Sequence, residues 1–193
     1  MIEQTLKEIF SNIPELHTNR LILRRMKRSD AADMYEYSKL PQVTQYLAWL
    51  PHTDLKATTR YLDYIKSRYA EGTFYDWAVI WRENNKMIGT CGFTKFNSDN
   101  NSAECGYVLN PAYWGKGIAP EALACVMKFG FMTLNLHRIE CRYIVGNDRS
   151  LRVMEKCGMQ YEGTMRDAML IGSEYKTIGI CSMLSCEYIR KYM

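Results

Sequence analysis

The feature that most restricts this chain is a change of hydrophobic period in its middle. Phe74–Trp81, Lys86–Phe96 and Ser102–Leu109 read as strands, and turn signals join them at Asn84-Asn85 and at Asp99–Asn101. A long helical pattern follows Pro111 and runs to about Leu134, with Leu123, Val126 or Met127, Gly130, Phe131 and Leu134 as its inward stripe. Arg138–Val145 is then a strand again. A helical crossover between two strands of one sheet makes them parallel, whereas short turns make neighbours antiparallel. The sheet is therefore mixed.

The flanks complete the pattern. Ile2, Leu6, Ile9 and Ile13 stand at helical spacing, so a short amphipathic helix is expected over residues 2–13. Arg20–Met26 alternates as a strand. Ser29 is placed to cap a helix that runs to about Leu40 and stops at Pro41. Leu55, Thr59, Leu62, Ile65 and Tyr69 form the stripe of a second helix, ended at Gly72. Asn147 opens a helix that ends at Gly158, and Gln160–Leu170 and Glu174–Cys186 are two strands joined near Gly172. There is no repeat or linker, and 193 residues suit a single domain spanning 1–193.

Bulk properties exclude several classes. A net charge of +4 from scattered residues gives no footprint for nucleic acid, although it suits an anionic ligand. No apolar run approaches the roughly 20 residues of a membrane span, and Glu3, Lys7 and Glu8 interrupt any signal-peptide core, so a cytoplasmic protein without a membrane partner is expected. Seven cysteines without a C-x-x-C pair read as buried reduced thiols, and the three histidines are unclustered, so no metal is expected. Composition leaves monomer and homodimer both open.

The loop Asn110–Glu121, NPAYWGKGIAPE, lies between a strand and a helix. Gly115 and Gly117 flank Lys116, and Pro120 falls in the first helical turn, where no backbone donor is needed. Such a loop aims amides at one point beside the positive end of a helix, which suits a pyrophosphate. A P-loop is excluded because Gly117 follows the lysine and no glycine stands five residues before Gly115. A dinucleotide-binding fingerprint is excluded because the loop follows an antiparallel meander. A plain strand-to-helix turn stays open.

Here the sequence resembles the GNAT superfamily of N-acetyltransferases. Residues 114–119 are similar to its acetyl-CoA loop Q/R-x-x-G-x-G/A, with Gly117 and Ala119 at the small positions and Trp114 replacing the polar first residue, as in the RimJ/RimL-like branch of ribosomal-protein alanine N-acetyltransferases. The same branch is matched by T-x-R-L-x-L-R at Thr18, Arg20, Leu21, Leu23 and Arg24, and by A-E-x-G-Y at Ala103, Glu104, Gly106 and Tyr107. It is matched further by Asn147 and Ser150 with Glu155, Lys156 and Gly158, by Glu162-Gly163, and by Gly172. The resemblance covers residues 18–186. It implies an α/β fold in which a seven-stranded mixed sheet, its central parallel strands splayed, is flanked by about four helices. It also implies acetyl-CoA as cosubstrate. Pantetheine would lie along the strand carrying Tyr107, Val108 and Leu109. The pyrophosphate would be held by the amides of Leu109 and of Gly115, Lys116, Gly117, Ile118, Ala119 and Pro120, with Trp114 and Ser150 also at the cofactor and Asn147 bonding its pantetheine or thioester arm.

Acetyl transfer to an amine needs a neutral amine, a polarised carbonyl and a protonated leaving thiolate. Glu104 is the candidate base, the alternatives being a solvated charge or a partner of Arg142. Ser150 is the candidate acid, by resemblance, since Met154 stands where many relatives carry a tyrosine; the alternative is that Asn147 and Ser150 cap a helix. Met169 stands where the resemblance would put another glutamate base. Tyr46, Trp49, Trp77 and Phe93 are candidates for the acceptor side, with core packing as the alternative for each. An α-amine with a pKa near ~8 is neutral about a fifth of the time at pH 7.4, and a lysine amine near ~10.4 roughly one time in a thousand. With no strong base visible, the expected acceptor is a protein or peptide N-terminus. A polyamine, antibiotic or amino-acid-like acceptor, and a non-catalytic coenzyme A sensor, stay open.

Overall fold

A computed structural model describes residues 2–193, with side chains from Gln4 onward. In chain order the elements are α1 (Ile2–Ser11), β1 (Leu16–His17), β2 (Leu21–Arg24), α2 (Ala31–Ser38), α3 (Pro41–Thr44), α4 (Leu55–Ala70), β3 (Tyr75–Trp81), β4 (Lys86–Asn97), β5 (Ser102–Leu109), α5 (Ile118–Met132), β6 (Arg138–Ile144), α6 (Asp148–Lys156), β7 (Gln160–Ile171), β8 (Glu174–Leu184) and α7 (Ser185–Tyr192). The strands form one mixed sheet in the order β1-β2-β3-β4-β5-β6-β8-β7. It has eight strands rather than the expected seven, and the described residues hold seven α-helices rather than about four. The extra strand is β1, two residues long and antiparallel to β2. The chain gathers into two compact units, one of residues up to Gly92 with Tyr107–Cys125, the other of Phe93–Gly106 with Val126–Met193.

In the first unit β2 alternates, with Leu21 and Leu23 fully buried, while β3 is buried on both faces from Trp77 to Ile80, as a strand covered on both sides must be. Phe10 of α1 packs its ring 4.8 Å from that of Tyr75 and 5.7 Å from that of Trp77. Trp77 is wholly buried and donates its indole N–H to the Pro14 carbonyl at 2.7 Å, so burial leaves no polar group unmet. The expected cap at Ser29 is not there. Asp30 precedes α2, and its carboxylate instead accepts both Arg24 Nη atoms, at 2.9 and 2.7 Å, and the Lys27 amide at 2.7 Å. Pro41, expected as a stop, is the first residue of the short α3, where proline has no donor to lose. The buried stripe of α4 is Thr58, Leu62, Ile65 and Tyr69; Leu55 is exposed because the true cap, Asp54, holds the Ala57 amide just before it.

In the second unit the crossover has the expected consequence: β5 and β6 are parallel, paired from Ser102↔Arg138 to Cys105↔Cys141. The ladder ends there, although β5 runs on to Leu109 and β6 to Ile144. β8 lies antiparallel to β6 and to β7, with irregularities on β7 between Tyr161 and Gly163 and between Met165 and Met169. Gly130 of α5 is required by packing, since a Cβ would come within 2.7 Å of Ile139 Cδ1 and 3.0 Å of Phe93 Cζ. The expected strand to Cys186 ends at Leu184, where α7 begins with the Glu187 carboxylate accepting the Leu184 amide.

The Arg24–Asp30 pair has side chains only 11% and 6% exposed. Removing one partner of such a pair strands the other charge. Asp30→Ala is expected to lower unfolding free energy by about 3 kcal/mol in denaturant titration; a loss under about 1 kcal/mol would show the pair to be solvated.

Candidate active site

In the first unit the loop after β5 has a closed half and an open half. Asn110 is buried; its Oδ1 accepts the Ala112 amide at 3.0 Å and its Nδ2 donates to Glu36 Oε1 at 2.9 Å. The Trp114 indole donates to the Leu109 carbonyl at 2.8 Å, so this side chain folds back on the strand end. That is the physical sense of a tryptophan at the position where a polar residue was the norm. Beyond it, the amides of Gly115, Lys116, Gly117, Ile118 and Ala119 have no acceptor among the described residues. Gly115 and Gly117 sit at φ 74° and 73°, which side chains resist. A Cβ on Gly115 would meet nothing within 4 Å, and one on Gly117 only Arg20 Nη2 at 3.7 Å, so the concave side is open. Pro120 is a correction to the expected set: it has no N–H and cannot donate, so the donor run ends at Ala119.

A single carboxylate fixes this loop. Glu121, in the first turn of α5, accepts Thr18 Oγ1 at 2.5 Å, the Arg20 amide at 3.1 Å and Arg20 Nε at 2.7 Å. Arg20 Nη1 then donates to the Lys116 carbonyl at 3.0 Å. Burial works against the Glu121 charge, but the Thr18 hydroxyl and Arg20 outweigh it and hold the carboxyl below its ordinary range. The motif residues Thr18 and Arg20 thus acquire a mechanical role: they pin the loop and the helix start to β2.

The second unit holds Glu104, Asn147 and Ser150. Asn147 caps α6, its Oδ1 accepting the Ser150 amide at 3.3 Å, while its side-chain NH2 keeps its donors. Ser150 contributes its amide to that cap and is half-buried. Glu104 Oε2 lies 3.2 Å from Arg142 Nε, so of the readings the sequence left open, the arginine partnership is the one the geometry shows. Arg142 also bridges Glu140, and Arg138 bridges Glu140 and Glu162, with Ser182 donating to Glu162 at 2.6 Å.

Of the acceptor-side aromatics, Trp77 and Phe93 are 0% and 2% exposed and belong to the core. Tyr46 is half-buried and Trp49 exposed, its ring 5.5 Å from that of His52. One titratable residue went unnoticed in the sequence. Asp76 of β3 keeps some surface, but its carboxyl is buried, and burial pushes its pKa from 3.8 up to about 7 against hydrogen bonds from Thr90 and the Trp77 amide. The folded state therefore holds this proton more tightly than the unfolded chain does, and loses stability as pH rises from about 4 to 7.

Comparison with known proteins decides the family. The acetyltransferase (GNAT) domain profile matches residues 20–160. The chain is 35% identical over 173 residues to the N-acetyltransferase p20 of Bacillus licheniformis, covering 90% of this chain and 97% of the relative. It belongs to the GNAT acetyltransferase family. A GNAT-family acetyltransferase from Bacillus anthracis superposes with a TM-score of 0.81 at 28% identity, over 90% of this chain and all of that one. The [ribosomal protein uS5]-alanine N-acetyltransferase of Escherichia coli is 25% identical over 86% of this chain and 89% of its own length. The spermidine N(1)-acetyltransferase of Vibrio cholerae is 22% identical over 90% and 98%.

As a GNAT member the protein is an acetyl-CoA-dependent N-acetyltransferase. Its open loop fits the cofactor's pyrophosphate: a run of unspent amides at a helix start, glycines whose missing Cβ leaves the concave side clear, and Arg20 alongside. Gly115→Asp puts a carboxylate into that concavity without a steric clash, and Gly115→Asn is its neutral isostere; both residues tolerate positive φ. Acetyl-CoA is expected to raise the Tm of wild type and of Gly115→Asn, and to leave that of Gly115→Asp unmoved. A full shift in the folded aspartate variant would place the pyrophosphate elsewhere.

Proposed function

We propose that the acetyl group passes to the α-amino group of a polypeptide N-terminus, by direct attack on the thioester in a ternary complex, in a cytoplasmic setting. The observation that carries this reading is the state of the acidic side chains in the second unit: Glu104, Glu140 and Glu162 are each bound to an arginine. A polyamine needs several uncommitted carboxylates for its several charges, whereas an N-terminus brings one charge and its own backbone donors. Deprotonation points the same way. A lysine-type amine costs about 3 kcal/mol more to neutralise than an α-amine. The uS5-alanine relative acts on such a substrate by its name, and the spermidine relative gives the competing reading.

Asn147, with its acceptor oxygen used by the cap, offers its NH2 to a carbonyl of the pantetheine arm. Ser150 supplies the proton to the departing thiolate. Tyr46 and Trp49 border the acceptor.

Thiol release from acetyl-CoA, measured with N-terminal peptides, lysine side-chain peptides and spermidine in parallel, tests the acceptor. Peptide α-amines are expected to give the highest kcat/KM, and a spermidine preference would overturn the proposal. Ser150→Ala is expected to lower kcat about 10- to 100-fold with the acetyl-CoA thermal shift intact. Lost stability with kcat preserved would return Ser150 to a role in the helix start.

A further inference from the structure

A buried carboxyl and a buried hydroxyl in the first unit have no part in the site described above. Tyr37 of α2 is 2% exposed, and its hydroxyl has no hydrogen-bond partner among the described residues. Leaving such a group unmet costs free energy, so its retention asks for a missing partner. Burial raises the Tyr37 hydroxyl pKa far above its ordinary value, and Asp76 is the charge that adds most to this. The same carboxyl raises the hydroxyls of Tyr61 and Tyr69 on α4, again second to burial for Tyr61. Tyr37 on α2, Tyr61 and Tyr69 on α4 and Asp76 on β3 thus share one electrostatic neighbourhood within the first unit, tied together where the Tyr69 hydroxyl meets the Asp76 backbone.

The cluster is built. Tyr69 donates its hydroxyl to the Asp76 carbonyl at 2.6 Å and accepts the Met26 amide at 3.3 Å, which fixes the backbone at that point. Asp76 Oδ1 accepts the Trp77 amide at 3.0 Å, and Thr90 donates to the carboxyl from β4. Gly92 of β4 leaves the room it needs, since any Cβ there would strike the Asp76 backbone and stand 2.8 Å from Oδ1. No guanidinium or ammonium answers the carboxyl among the described residues. At the surface, exposed Trp49 lies beside His52, whose ring is 5.8 Å from that of the partly exposed Tyr61 and whose Nδ1 pairs with Ser38, the residue after Tyr37, at 3.1 Å. A buried carboxyl that no cationic side chain answers is the chemistry of a cation site.

We propose that Asp76 and Tyr37 receive the amine of the acetyl acceptor, Tyr37 hydrogen-bonding it and Asp76 taking its proton. This rests on the acetyltransferase reading, and holds for any primary amine. The acceptor enters as R–NH3+ and gives one proton to the Asp76 carboxylate, leaving R–NH2 and a neutral acid. The nitrogen lone pair forms the new C–N bond as the C–S bond breaks; the nitrogen sheds its second proton and the sulfur gains one. Asp76 releases the first proton to solvent. A base that titrates near neutrality is suited to this exchange. The other titratable groups around it are Tyr37, Tyr61 and Tyr69; Asp30 and Asp33 also act on Tyr37, more weakly than Asp76 does, Arg25 covers the ring of Tyr69, and burial lowers the His52 pKa. Sequence reasoning gave the base role to Glu104, which the Arg142 pair occupies.

Asp76→Asn keeps the side-chain shape and can still accept from Trp77 and Thr90, but takes no proton. With an N-terminal peptide, its kcat/KM is expected to fall about 100-fold at pH 7 and less than about 10-fold at pH 9.5, where an α-amine near ~8 is already neutral. The acetyl-CoA thermal shift, expected to be unchanged, certifies the fold. An equal deficit at both pH values, or none, would overturn the proposal. Tyr37→Phe gives an independent arm: the acceptor KM is expected to rise about 10-fold with the acetyl-CoA KM constant. A variant with a higher Tm and unchanged acceptor KM would show a merely unmet hydroxyl and overturn the assignment. Should wild type prefer spermidine to peptides, the N-terminus reading fails, and the same two variants measured on spermidine still decide this one.

Discussion

The Glu121 carboxylate is the interaction on which the loop after β5 depends. It stands in the first turn of α5 and takes three donors, from Thr18 and Arg20 in the turn between β1 and β2, while Arg20 reaches on to the Lys116 carbonyl. Without that clamp, two glycines in succession around Lys116 would leave the loop too mobile to hold five amides at one point. With it, the ordering entropy is met at folding rather than at binding. The Trp114 indole on the Leu109 carbonyl and Asn110 beneath the turn close the other end. The open concavity between these fixed points is what remains for an anion.

The second unit follows a different rule. On β5, β6 and β7, carboxylates and guanidiniums satisfy one another in a chain from Glu104 through Arg142, Glu140 and Arg138 to Glu162. The Arg138 guanidinium holds the Glu162 carboxyl down to about 2, with desolvation opposing and Ser182 helping. Such a chain ties the three strands to one another through their side chains. The buried carboxyl of Asp76 lacks any such answer, and that difference separates a framework group from a reactive one.

Much of this was legible in the sequence, for identifiable reasons. Ser102–Leu109 was read with its true ends because an asparagine turn precedes it and Asn110-Pro111 follows. Asn147 was read as a helix opening because its side chain is of the type that caps, and it does. The misses are equally physical. β1 has two residues, too few for any period to show. Ser29 and Asp30 are both capping types, and only the tertiary partner Arg24 decides between them. The polar loop set was drawn through Pro120, where the missing N–H should have stopped it. Asp76 gave no signal at all: one aspartate between Tyr75 and Trp77 looks like an exposed strand position until α2 and α4 are laid over it.

The central claim is that the amides from Gly115 to Ala119 hold the cofactor's pyrophosphate. Backbone amide resonances of the 15N-labelled protein, followed during titration with coenzyme A, test it most directly. The account predicts that Gly115, Lys116, Gly117, Ile118 and Ala119 move most, downfield as their hydrogen bonds form, and that dephosphorylated pantetheine leaves them nearly still. Saturable binding that shifts other amides while these five stay in place would contradict it.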